Sequence, residues 1–202
     1  VMVEQDTPTG IAMIQVAATG ENSICISAEA NACLTPERLA PHRELITQAD
    51  TLLMQLETPI ATITQAAKIA KQAGTHVVLN PAPAQPLNDA LLSVVDLITP
   101  NETEAELLTG IKVSDMASAQ VAANVLHDKG IAEVMITLGS QGVWMSQTGT
   151  GKQVKGFRVD AVDTTAAGDT FNGGLLSGFH ACLLLASAWL LSTSYSSHAR
   201  TK

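Results

Sequence analysis

The 202-residue chain is 46% apolar and 15% charged, a balance that excludes intrinsic disorder and leaves enough apolar side chain for a core. Its formal charge is −8, from 19 acidic against 11 basic residues, which excludes nucleic acid and anionic membrane as bulk-charge partners. Three cysteines without C-x-x-C spacing, and five histidines without paired spacing, argue against a disulfide framework or zinc site and fit a reducing cytosol.

The opening Val1-Met2-Val3-Glu4 carries no basic or apolar leader segment and reads as internal sequence. Residues 11–16 (IAMIQV) and 23–27 (SICIS) predict two short strands, with turn chemistry at Thr19-Gly20-Glu21-Asn22 between them, hence a hairpin. Residues 36–48 predict a helix with Thr35 as N-cap and Pro36 in its first position. TLLMQL (51–56) is a continuous apolar run, as in a strand covered on both faces. Pro59 opens a second helix, with Ile60, Ile63, Ala67 and Ala70 on one face and Gly74 as its stop.

HVVLN (76–80) predicts a strand, PAPAQP a loop, and VVDLITP (94–100) a further strand. NETEAELLTG (101–110) predicts a short helix, Asn101 at its start and Gly110 at its end. Ser114 is the expected cap of a longer helix reaching Lys129. Residues 131–138 and 142–146 predict a strand pair around a Gly-Ser-Gln-Gly turn, and Gly168 onward reads as helix. Strands alternating with helices predict an α/β fold with a largely parallel sheet, the opening hairpin being an appendage.

From Leu175 to Lys202 no Asp or Glu occurs, and residues 181–191 (ACLLLASAWLL) are almost wholly apolar. Ser177, Gly178 and His180 break the stretch from Leu175 to Leu191, leaving it short of the roughly 20 residues a membrane span needs. The segment 177–202 differs in composition from the rest, and a shifted reading frame would explain the change.

Four stretches could carry chemistry. The first is Val162-Asp163-Thr164-Thr165-Ala166-Ala167-Gly168-Asp169. Small residues ahead of a helix let an anion approach free N–H groups at its positive end. Asp169 beside that anion could take a proton from an attacking hydroxyl. An Asp that merely stabilises the first helical turn fits the same residues, which leave both readings open. The second is Asn101-Glu102-Thr103-Glu104 at a strand's end. Asn101 and Glu104 share a helix face and could serve phosphate or hydrated Mg²⁺. A capping box explains them more simply.

The third stretch is 136–143, ITLGSQGV, where the glycines suit a plain turn or a close backbone approach to a nucleotide. The fourth is Glu57, past the strand 51–56, placed to accept hydrogen bonds from sugar hydroxyls or simply to face solvent. A Walker A loop is absent, since Ser146 and Gln153 stand where Gly and Ser/Thr are required around Gly151-Lys152.

Together and in this order, these motifs resemble the phosphofructokinase-B family, the ribokinase-like carbohydrate kinases. DTTAAGDTFNGG resembles the family's D-T-x-[GA]-A-G-D signature, TPNETEAELLTG its N-x-x-E segment, and ITLGSQGVW its nucleotide-loop strand pair. LLMQLE and LNPAPA are similar to the family's ribokinase branch. The resemblance implies a doubly wound sheet with helices on both faces. Residues 1–176 would be part of that kinase domain and 11–27 half of a β-lid.

The resemblance also implies ATP-dependent phosphorylation of a sugar hydroxyl, D-ribose to D-ribose 5-phosphate. It makes Asp169 the catalytic base, in contact with the sugar. Ala166, Ala167, Gly168 and the Asp169 N–H would form an anion hole, and Glu57 would touch the sugar. Asn101 and Glu104 would serve the phosphates, Glu104 reaching Mg²⁺ through water. Thr137, Gly139, Ser140, Gln141, Gly142 and Gly168 would line the nucleotide. Asp163 and Thr165 would contribute to an activating K⁺ site. A cytoplasmic homodimer belongs to the same implication. The family's N-x-D strand and G-G-K-G-x-N sugar loop are not in this sequence. Two alternatives therefore stand beside a ribose kinase: a catalytically inactive nucleotide-binding fragment, and another family sugar kinase such as a fructokinase.

Overall fold

The computed structural model describes residues 2–17, 22–159 and 164–180. Residues 19–21 of the turn expected at Thr19–Asn22, Asp163, and residues 181–202 of the segment 177–202 lie outside them. Two compact units divide the chain. The first comprises Val1–Ile11, Ala28–Leu138 and Val143–Gln153; the second comprises Ala12–Ser27, Gly139–Gly142 and Val154–Lys202.

Strands β1 (Ile11–Val16) and β2 (Asn22–Ser27) form a two-stranded sheet, as the hairpin expectation requires. Helices α1 (Pro36–Leu39) and α2 (Arg43–Thr47) replace the single helix expected over 36–48. Pro41, which has no N–H for the helical ladder, turns the segment into a 3₁₀ turn at Ala40–His42. Thr35 stands at the N-cap of α1 but makes no side-chain cap bond.

A six-stranded sheet follows: β3 (Thr51–Met54), β4 (His76–Leu79), β5 (Leu97–Ile98), β6 (Glu133–Thr137), β7 (Val143–Gln147) and β8 (Thr150–Val154), in that spatial order. β3 to β6 are parallel, and β7 returns antiparallel to β6. This bears out the α/β class with a largely parallel sheet. Helices α3 (Ile60–Ala73), α4 (Asp89–Leu92), α5 (Glu102–Thr109) and α6 (Met116–Asp128) fill the connections. α7 (Ala167–His180) belongs to the second unit.

Three boundaries differ from expectation. The strand expected over 94–100 shrinks to Leu97–Ile98, because the end of α4 takes up Val94 and Val95 in turns bonded to Leu91 and Leu92. The cap of α6 is Asp115, not Ser114: Asp115 Oδ1 accepts the Ser118 N–H at 2.8 Å. A carboxylate suits that position as well as a hydroxyl does. β8 runs through Gly151-Lys152, where the sequence lacks a Walker A loop.

Pleating sorts the sheet's side chains. Val77, Leu79, Ile98, Val134 and Ile136 join one core with Ile63, Ala67, Ala70, Ala122 and Leu126 from α3 and α6. Val78, Leu97 and Met135, on the opposite face, are buried too. β3 departs from its expected cover on both faces: Leu53, which pairs with Val78, is 40% exposed. No strand among the described residues pairs with the outer edge of β3. Gly74 at φ 83° ends α3 in the left-handed conformation, as its position predicts. No described helix is long and apolar enough to cross a membrane.

Candidate active site

Parallel strands place their carboxyl ends on one edge, where α/β folds bind ligands. In the first unit that edge carries Glu57 after β3, Asn80 after β4, Asn101 after β5 and Thr137 ending β6. Glu57 is half-buried, and its N–H donates to Gln55 Oε1. The adjacent backbone is tied down by Leu56 N–H to the Ala82 carbonyl at 2.7 Å and Gln85 Nε2 to the Leu56 carbonyl at 3.2 Å. Ala82-Pro83 is a cis peptide in this loop.

Asn101 and Glu104 form a complete capping box on α5. Asn101 Oδ1 accepts the Glu104 N–H at 2.8 Å, and Glu104 Oε2 accepts the Asn101 N–H at 2.9 Å. The simpler reading of these residues is therefore realised. It does not exclude a ligand role, because the cap uses only the amide oxygen of Asn101 and leaves its two N–H donors out. Glu104 is 6% exposed. Burial pushes its carboxyl above the usual range, the Asn101 N–H pulls it down and the nearby Glu102 charge raises it. Thr137 is brought beside Asn101 by a parallel bridge, and its N–H donates to the Pro100 carbonyl at 2.9 Å. Two motifs 36 residues apart thus meet at one edge, Asn101 from the N-x-x-E segment and Thr137 from the nucleotide-loop pair.

The second unit holds the glycine turn and α7. Gly139, Ser140 and Gln141 form an exposed 3₁₀ turn, closed by the Gly142 N–H to the Gly139 carbonyl at 3.1 Å. Gly142 is buried at φ 97°, and a Cβ there would overlap the backbone of residues 154–156. The close approach that Gly142 permits is thus to the chain's own backbone. Gly168, by contrast, has open space where a Cβ would stand.

At the start of α7, Ala166 adopts φ 60°, left-handed for a residue with a side chain. Its carbonyl accepts both the N–H and the hydroxyl of Thr170, at 3.0 and 2.9 Å. The Ala167 N–H donates to the Thr164 carbonyl at 3.2 Å. The following N–H groups, of Gly168 and Asp169, start a helix and have no intrahelical acceptor. Asp169 stands exposed in that first turn. A left-handed residue leading into a 14-residue helix turns successive N–H groups toward one point and suits a phosphate-sized anion. Asp169 supplies a carboxylate in the same first turn.

The whole chain but its last three residues, 1–199, matches the family described as pfkB family carbohydrate kinase. The chain belongs to the pfkB family of carbohydrate kinases. Among curated pfkB relatives, ribokinase of Haemophilus influenzae is 57% identical over 169 residues, covering 84% of this chain and 55% of the relative. The solved ribokinase of Thermotoga maritima superposes with a TM-score of 0.81 at 34% identity, covering 97% of this chain and 64% of that one. The ribokinase of Arabidopsis thaliana complexed with ribose and ATP gives 0.84 at 29% identity, covering 95% and 63%. The chain spans about half the length of the curated relatives it matches.

The donor set can be weighed against the groups this family implies. Among the described residues no three His, Cys, Asp or Glu side chains gather into a metal cage. Mg²⁺ in a nucleotide site needs no such cage, since it keeps waters and takes one or two carboxylates besides the phosphates. Glu57 and Glu104 are both carboxylates at this edge, and Glu104 is the one next to Asn101 and Thr137. Of the two residues expected at a K⁺ site, Thr165 lies in the exposed turn before α7, and Asp163 is outside the described residues. Sequence reasoning passed over Asn80 and Thr99, which the fold joins by a hydrogen bond at the same edge. The available signal was Asn80 before Pro81 at a strand end.

Proposed function

We propose that this chain carries the phosphoryl-transfer side of a sugar kinase, acting on ATP and D-ribose to form ADP and D-ribose 5-phosphate. The observation that carries the reading is the carboxylate of Asp169 in the first turn of α7, directly behind left-handed Ala166. In this reading Asp169 takes the proton of the ribose 5-hydroxyl as that oxygen attacks the γ-phosphorus. The bond from phosphorus to the β–γ bridging oxygen breaks, and ADP leaves.

The N–H groups of Gly168 and Asp169, with that of Ala166, bear on the charge that develops on the transferring group; the Ala167 N–H expected beside them is taken by the Thr164 carbonyl. Asn101 and Glu104 would serve the phosphates, Glu104 reaching Mg²⁺ through water, and the ion would supply neutralisation of phosphate charge. Thr137, Gly139, Ser140, Gln141 and Gly142 line the nucleotide, and Glu57 accepts from sugar hydroxyls. Asp163 and Thr165 bear on K⁺. The identity to Haemophilus influenzae ribokinase favours ribose over another sugar such as fructose.

A second reading has its own observation. The alignment covers 55% of that relative, and a nucleotide-binding piece that does not turn over is the second reading of that span. ADP release from MgATP, with D-ribose and K⁺ present, separates the two. Turnover that falls by a factor of about 10²–10⁴ in Asp169→Asn supports the kinase. MgADP binding without ribose-dependent turnover supports the second reading.

A further inference from the structure

The ladder between β4 and β5 stops at an unusual place. Between parallel strands, a residue whose N–H donates to one neighbour accepts at its carbonyl from the residue two further along that neighbour. Thr99 N–H donates to the Leu79 carbonyl at 3.0 Å. The next rung would therefore run from the N–H of residue 81 to the Thr99 carbonyl. Residue 81 is proline, which has no N–H. Instead, Asn80 Nδ2 donates to the Thr99 carbonyl at 3.0 Å. Asn80 is itself held in the sheet, its N–H donating to the Met54 carbonyl at 2.9 Å.

The segment receiving this bond leads straight into the candidate site. Thr99 is 2% exposed. The Pro100 carbonyl takes the Thr137 N–H, and Asn101 then caps α5 with Glu104. Pro100, like Pro81, offers no N–H to hold itself in place. A displacement at Thr99 would pass to Asn101 and Thr137 together, since both hang on Pro100.

We propose that Asn80 is a positioning residue. Its side-chain amide replaces the rung that Pro81 cannot supply, and it thereby holds Asn101, Glu104 and Thr137 in register. That this register serves a nucleotide rests on the kinase reading above; that Asn80 sets it does not.

Asn80→Leu keeps the side chain's size and removes its donor. Adding Pro81→Ala to that variant returns a backbone N–H where the rung requires one. The amides of Asn101, Glu104 and Thr137 should exchange about tenfold faster in Asn80→Leu, while Val77 and Val78 in β4 keep their wild-type rates. MgADP affinity should fall about tenfold, and the double variant should restore both measures.

Unchanged exchange at the three amides, or no recovery in the double variant, overturns the proposal. If Asn80→Leu does not fold, a folded double variant supports the rung and an unfolded one overturns it. A wild-type chain that binds no MgADP yet shows the exchange effect keeps Asn80's role and rejects the kinase reading.

Discussion

The β1–β2 ribbon and strand β4 are written in much the same residues and end in opposite environments. IAMIQV in β1 is exposed along its whole length, Met13 at 63% and Ile11 at 58%. HVVL in β4 has Val77, Val78 and Leu79 at 0%. The difference lies in neighbours. β4 is flanked by β3 and β5 and is covered by α3, so each pleat direction meets packed side chains. A ribbon of two strands offers a single ladder and stays marginal unless another layer covers it. Apolar alternation thus marks a strand but does not decide whether it is buried.

Substitutions on the two sides can break this contrast. The largest effect is expected at Gly142, where Gly142→Ala must place a Cβ on the backbone of 154–156 at φ 97°. The loss should exceed about 3 kcal/mol, read by urea denaturation. A loss under 1 kcal/mol would show that the turn can move away. Next, Leu79→Ala should cost about 2–5 kcal/mol, whereas Ile14→Ala in the ribbon should stay within about 0.5 kcal/mol. Equal losses would mean that the ribbon is covered in solution.

Asn101→Ala removes a cap and should cost about 1 kcal/mol, while weakening MgADP binding if the amide also meets phosphate. Loss of stability with unchanged affinity would restrict Asn101 to capping. The smallest effect concerns Glu104, whose folded carboxyl lies above its unfolded value through burial. Its contribution favours the fold below the usual carboxylate range and is lost as pH rises through the raised value. Glu104→Gln keeps an acceptor for the Asn101 N–H without the charge. Its melting temperature relative to wild type should therefore be higher at pH 7 than at pH 4. A pH-independent difference would show that Glu104 is not desolvated.

The motif at Asn101–Glu104 and the one leading into α7 were legible for the same reason. Asn101 and Glu104 follow a local rule, three residues apart at a helix start, and the capping box is realised. The first turn of α7 is local in the same way, since small residues lead into a helical stretch that holds Asp169 in its first turn. The strand boundaries at 94–100 and the break at Pro41 were less legible. There, short-range turns and a missing N–H compete with the apolar pattern.

Sequence by itself determined the stop of α3 at Gly74, the cap of α5 at Asn101, the α/β alternation and the family motifs, because caps and glycines act within one turn of chain. The tertiary structure decided which strands are covered, as at Leu53 against Val78. It also decided what Gly142 makes room for, and that Asn80 replaces a rung that Pro81 lacks. These depend on which distant backbone arrives alongside, and the hydrogen-bond and packing partners of a sheet come from residues far apart in the chain.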